Sequence, residues 1–417
     1  MTSSIILTII LVILIADFVL EKSLDILNLK YAQKGLPKSL SGIYDEAEYN
    51  RSISYQRTNL KFGMISSTLN LILTLVVLSA GLFGWLNEWL NQFIGNPLML
   101  SLVFFGVIFI GSDILNIPFS LYKTFVIEEK FGFNKTTPKL FVADKIKGIL
   151  LTVVVGGIVL GTLLYLVLEI GQSFWIYFWV FISILMLLIN MFYTSLIVPL
   201  FNKLTPLEDG ELRNAIEVYS QKSGFTLDNI YVIDGSKRST KANAYFSGIG
   251  KKKKIVLYDT LIANHTTEEL VAVLAHEVGH FKKKHIISGL ILSIFQIGAI
   301  LFLLSWFIFN PEISKALGSN TWAVHLNLIA FGILFSPISQ IIGILMNLVS
   351  RKNEFEADSF AAETYSAEPL MAALKKLSVK NLSNLNPHPA YVFMHYSHPP
   401  LSQRLDNLEK YILQQQA

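Results

Sequence analysis

Apolar residues come in seven long runs with polar segments between them, at residues 3–20, 62–86, 98–119, 148–168, 174–200, 286–309 and 322–349. Each is long enough to cross a bilayer as a helix, which takes about 20 residues. The first run reads as a span and not as a cleaved leader. No basic residue precedes it, and residues 17–21 offer no small-residue cleavage site.

The polar segments orient these spans, because cytoplasmic loops collect lysine and arginine. Lys22, Lys30, Lys34, Lys38, Arg51, Arg57 and Lys61 follow the first run, whereas residues 87–97 carry no basic residue. Lys123, Lys130, Lys135, Lys139, Lys145 and Lys147 follow the third, whereas residues 169–173 carry none. The segment after the fifth is strongly basic, the link after the sixth holds only Lys315, and Arg351-Lys352 open the tail. The alternation predicts an integral multi-pass membrane protein with its N-terminus outside and its C-terminus cytoplasmic. It does not separate a bacterial plasma membrane from the endoplasmic reticulum.

The chain divides into spans one to five (1–200), a polar segment (201–285), spans six and seven (286–349) and a polar tail (350–417). Neither polar piece is long enough to bury a full core alone, so the two are expected to form one small α+β domain. Residues 211–223 read as a helix, with Leu212, Ile216 and Tyr219 on one face and Gly224 as its stop. Residues 229–233, 244–247 and 255–258 read as strands. The last two flank Gly248-Ile249-Gly250 and the basic run 251–254, a solvated turn able to touch anionic headgroups. Thr266 with Glu269 is an N-terminal capping signature. The helix it starts, through Leu270, Leu274, Val278 and Phe281, is expected to continue straight into span six.

Composition agrees with a mainly α, polytopic fold. Hydrophobic residues make up 52% and charged residues 15%, against about 25% charged in soluble domains. The absence of cysteine excludes disulfides, thiol catalysis and thiolate metal sites. Any metal ligand must come from His, Asp or Glu. A net charge of +4 is too small to suggest a nucleic-acid partner.

The candidate chemistry lies on the capped helix. His276-Glu277-Val278-Gly279-His280 matches H-E-x-x-H. Residues four apart share a helical face, so both imidazoles can reach one metal ion, with Glu277 placed to take a proton from water. A catalytic zinc needs a third protein ligand. His265 and His285 stand at no compelling spacing. Glu354 and Asp358, just after span seven and on the same side of the membrane, lie four apart. One can bind metal while the other accepts the free N–H of a ligating histidine. Spacing does not say which.

These residues resemble the type I CAAX prenyl protease family of membrane-embedded zinc metallopeptidases. The likeness is carried by the H-E-x-x-H element, by Ser350 to Asp358, Ser239 to Gly248 and Ser397 to Arg404, and by the Glu128 to Asn134 loop. It implies one zinc held by His276, His280 and Glu354, with Asp358 orienting a ligand histidine and Glu277 as general base and later proton donor. Asn243, Ala244, Tyr245 and Phe246 would pair with an extended peptide, and His398 and Arg404 would act at the substrate carbonyl. The seven spans would enclose a chamber, with Asp17, Asp113, Asn116, His325 and Asn327 among the polar groups able to face it. The implied reaction removes the C-terminal tripeptide of a prenylated CaaX protein. Non-prenylated membrane proteins, as in quality control, are the alternative substrates. A polytopic transporter would explain the spans but not why H-E-x-x-H and E-x-x-x-D share one side.

Overall fold

A helix rises about 1.5 Å per residue and a hydrocarbon layer is about 30 Å thick. That scale organises the chain. A computed structural model describes residues 1–37, 40, 42–43, 45–224, 229–247 and 254–416. Among these, six helical runs are long and apolar enough to cross a membrane: Ser3–Ala32, Glu46–Ser79, Pro97–Glu128, Pro138–Phe201, His285–Phe307 and Val324–Thr364. The fourth has 64 residues and would be about 96 Å long if straight. It reverses instead at the turn Gly171–Ser173, where Gly171 has φ 69°. The flanking helices pack on each other, Leu164 and Val167 sharing a cluster with Phe174 and Phe178. Six continuous runs are thus compatible with seven crossings.

The second apolar run splits where a single helix was expected. Its helix ends at Ser79, and Leu82–Asn91 forms a separate short helix after Gly81, at φ 65°. That short helix lies against the link between the last two spans. The Gly84 N–H donates to Leu317 O at 2.9 Å, and a Cβ on Gly84 would lie 2.0 Å from the Gly318 carbonyl carbon. The Ser3 N–H donates to Glu312 at the same end, at 3.2 Å. At the other end the basic loops meet each other and the polar domain. Arg51 donates to Phe131 O at 2.6 Å, and Arg238 forms a bidentate pair with Asp144 at 2.7 and 2.9 Å.

Several polar groups within the spans bond to neighbouring segments. Asp17 accepts from Ser336 at 2.7 Å, and His325 bonds Ser101 at 2.9 Å. Buried Asn327 donates to Ile308 O and Asn310 O. These act as glue between segments. Asp113 pairs with Lys145 at 2.5 Å, and with Asn116 it lines a cavity of about 630 Å³.

The polar domain holds a four-stranded sheet, β1 (Leu204–Pro206), β2 (Asn229–Ile233), β3 (Ala244–Ser247) and β4 (Lys254–Tyr258), in the order β1-β2-β4-β3. β1 is too short to show in the sequence. β2 and β4 run parallel, and β3 pairs antiparallel with β4. β3 therefore lies at an edge, with its other side unpaired among the described residues. Residues 248–253, with most of the lysine run, lie outside the described residues. Ile216, Ile255 and Leu274 share one core with Leu370, Leu405 and Leu408, so both polar segments contribute to it. The first loop adds Leu40.

Two helices of this domain set the site. The first, Thr267–Lys282, carries the expected capping box: Thr266 accepts from the Glu269 N–H, and Glu269 accepts from the Thr266 N–H. It does not continue straight into the next span. It stops at Lys282, and Lys284 takes the left-handed conformation, at φ 61° and ψ 26°, before the helix His285–Phe307 begins. The second is Val324–Thr364, whose 41 residues extend about 62 Å. About half fits the bilayer, and the remainder carries Glu354 and Asp358 into the domain. Pro337 lies within this helix without ending it.

The two helices cross at Gly279. A Cβ there would meet Ala357 Cα at 3.0 Å and Ala357 O at 3.1 Å. Gly279→Val should push the helices apart and release bound metal while the spans stay folded. Metal content and circular dichroism of the purified variant check this.

Candidate metal centre

His276, Glu277 and His280 project from the Thr267–Lys282 helix toward Glu354 of the long helix, and all four line one pocket of about 270 Å³. His276 Nε2 and His280 Nε2 lie 3.2 Å apart. His280 Nε2 is 3.2 Å from Glu354 Oε1, and His276 Nε2 is 3.5 Å from Glu354 Oε2. Ligand distances of about 2.0–2.2 Å give a tetrahedron with edges of about 3.3–3.6 Å, close to these separations.

Tautomers support the same conclusion. His276 Nδ1 lies 2.9 Å from Asp358 Oδ1, so it donates there and leaves Nε2 with a bare lone pair in the neutral ring. A second imidazole nitrogen 3.2 Å away, beside a carboxylate, makes a cage that calls for a cation. Glu354 Oε2 is buried with no hydrogen-bond partner, a costly state unless an ion satisfies it. The site's carboxylates also hold a proton on His276, which a metal must displace to bind. Burial opposes charge on His276, but its hydrogen bonds to Asp358 and Glu354 outweigh that and push it up to about 9. Burial raises the Glu277 carboxyl, opposed by the charges of His276 and His280. The donor set fits a zinc-type ion.

Asp358 is fully buried and grips Arg404, which donates from Nε at 2.8 Å and from Nη2 at 2.5 Å. The remaining Arg404 nitrogen lies 3.5 Å from Glu354. Arg404 is thus held by the site's own carboxylates at the wall of the pocket. His398 is exposed and places Nε2 3.2 Å from Glu354 Oε1, at the pocket mouth. Asn243 and Ala244 line the pocket as well. Tyr245, on the alternate face of β3, packs instead against the cluster of Val198, Ile233 and Val256. Of Phe246, only its place in β3 is described.

Two features escaped sequence reasoning. His285 Nδ1 lies 3.1 Å from His280 Nδ1, and His285 Nε2 lies 3.1 Å from Glu356. A spacing of five residues does not share a helical face, so only the turn at Lys284 creates this contact. Lys241 bonds both Tyr55 and Glu128 at 2.9 Å, and the Thr240 N–H donates to Phe133 O at 3.1 Å. The Glu128 to Asn134 loop thereby braces the segment leading into β3.

H-E-x-x-H and a glutamate from a second helix, converging in one pocket at the end of a bundle of apolar helices, define a membrane-embedded metallopeptidase. Comparison with known proteins agrees. Residues 25–203 match the family model described as CAAX prenyl protease N-terminal, five membrane helices, and residues 206–412 match peptidase family M48. The chain is 36% identical to an Arabidopsis thaliana CAAX prenyl protease 1 homolog, over 94% of this chain and 95% of the relative. It is 36% identical to Saccharomyces cerevisiae CAAX prenyl protease 1, covering 91% of this chain and 90% of the relative. The crystal structure of S. mikatae Ste24p superposes with a TM-score of 0.92 at 34% identity, covering 97% of this chain and 99% of that one. The chain belongs to the CAAX prenyl protease family of M48 metallopeptidases.

Asp358→Asn should destabilise the protein by about 3–5 kcal/mol, because the buried Arg404 loses its partner charge. Asp358→Asn combined with Arg404→Met should recover stability but not metal affinity. Thermal unfolding and metal titration of the two variants check this.

Proposed function

We propose that this protein is a zinc endopeptidase that removes the C-terminal tripeptide of prenylated CaaX proteins at the cytoplasmic membrane face. The observation that carries the reading is the convergence of His276, His280, Glu354 and Glu277 in one pocket beside β3, the last strand of the sheet. The names of the relatives supply the substrate class. The alternation of lysine and arginine supports an outside N-terminus and a cytoplasmic C-terminus.

His276, His280 and Glu354 would hold the ion, and Asp358 would keep the His276 Nδ1 proton in place. Zinc, when bound, supplies Lewis-acid polarisation to water and to a peptide carbonyl. Glu277 takes the proton of the attacking water and returns it to the departing amine. The outer edge of β3 receives the substrate as an added strand, read through its backbone. His398, at the pocket mouth, donates toward the carbonyl oxygen as negative charge develops there. Arg404, bound to Asp358 and close to Glu354, contributes positive charge from the wall.

The test uses the full chain in detergent, wild type and Glu277→Gln, with a farnesylated CaaX peptide and its unprenylated twin. Zinc should be present in both proteins, and hydrolysis should fall by about 10²–10⁴-fold in the variant. The farnesylated peptide should be the better substrate. Equal cleavage of the two peptides would remove the prenyl requirement. Absence of zinc from wild type would remove the metal-centre reading itself.

A further inference from the structure

His276 and His280 supply equivalent ligand atoms, yet their second nitrogens meet different partners. His276 Nδ1 faces Asp358 directly. His280 Nδ1 faces another imidazole, His285, whose far nitrogen meets Glu356. Two Nδ1 atoms 3.1 Å apart can bond only if one carries a proton and the other does not. Glu356 decides which. Its carboxylate accepts from His285 Nε2, so a neutral His285 carries its proton there and presents a bare Nδ1. That lone pair accepts the Nδ1 proton of His280, leaving His280 Nε2 bare and aimed at His276 Nε2 and Glu354. The reverse arrangement would place an N–H of His280 among the metal ligands.

We propose that His285 and Glu356 are positioning residues for His280, setting its tautomer and ring orientation for metal binding. This deepens the metallopeptidase reading and rests on it. The local fold is built for the contact. Lys284 holds the left-handed conformation, and this single turn redirects the chain so that His285 folds back onto the preceding helix. His285 is buried, while Glu356 is partly exposed on the long helix, with Lys352 Nζ 3.7 Å from its other oxygen. Glu354 and Glu356 lie two apart on that helix and face different ways, one toward the metal ligands and one toward His285. A carboxylate therefore stands behind each ligand imidazole, directly for His276 and through one relay for His280.

The test is zinc affinity of the purified full chain, measured by competition with a chelator at fixed pH, alongside thermal unfolding of the metal-free protein. His285→Phe should weaken zinc binding by roughly 10–100-fold, the usual consequence of losing a partner behind a metal ligand. His285→Gln should recover most of that loss, since its amide oxygen can accept from His280 and its nitrogen can donate to Glu356. Glu356→Leu, at a partly exposed position, should weaken zinc binding while the metal-free protein still unfolds cooperatively, and it decides the matter if His285→Phe does not fold. Wild-type zinc affinity in His285→Phe or Glu356→Leu overturns the proposal and leaves the metal centre intact. Absence of zinc binding in wild type overturns both.

Discussion

Everything at the site depends on how closely two helices approach at Gly279. There the Thr267–Lys282 helix nearly touches the backbone of the long helix at Ala357. No side chain larger than hydrogen fits that crossing without displacing a neighbour. The same approach brings His276 and His280 to within 3.5 Å of Glu354 and lets His276 reach Asp358. A metal site tolerates errors of only about 0.5 Å in its ligands. A backbone contact between rigid helices meets that demand better than a loop does. The glycine inside the H-E-x-x-H element is therefore a packing residue for the metal site.

The second constraint is charge. Glu277, Glu354, Asp358 and Arg404 gather with two histidines in a largely buried volume, and isolated charges there would be expensive. Asp358 and Arg404 neutralise one another through two hydrogen bonds. Glu354 keeps one buried oxygen without a hydrogen-bond partner, with His276 Nε2 3.5 Å from it and His280 Nε2 beside the other oxygen. The arrangement balances best around a cation.

The two halves of the chain form one working unit. The edge strand β3 belongs to the polar domain, but the segment entering it is braced by Tyr55 and Glu128 from the N-terminal half. Asn381, in the C-terminal tail, exchanges hydrogen bonds with the Ala242 backbone in the same segment. A strand anchored at its entry keeps its outer edge at the pocket. The long helix links the bilayer to the ligand set in one rigid piece. An extended peptide attached to the membrane could thus be presented at the pocket without leaving the surface.

The sequence by itself determined much of this. Twenty-residue apolar runs can only be buried or lipid-facing, and the lysine and arginine bias orders them. A spacing of four puts His276 and His280 on one helical face whatever surrounds them, and Thr266 with Glu269 marks where that helix starts. These are local properties, set by the pitch of a helix and the chemistry of its end. Spacing could not choose between Glu354 and Asp358 as ligand, because both share the same face. The tertiary structure gives them different partners, engaging Asp358 with Arg404 and His276 Nδ1 and leaving Glu354 beside the Nε2 atoms. It also decided the break at Lys284, the reversal at Gly171 and the parallel pairing of β2 with β4. Each of these depends on contacts between segments far apart in the chain, or on a backbone conformation that residue identity permits without requiring. That is why His285, five residues beyond His280, gave no periodic signal and yet lies against it.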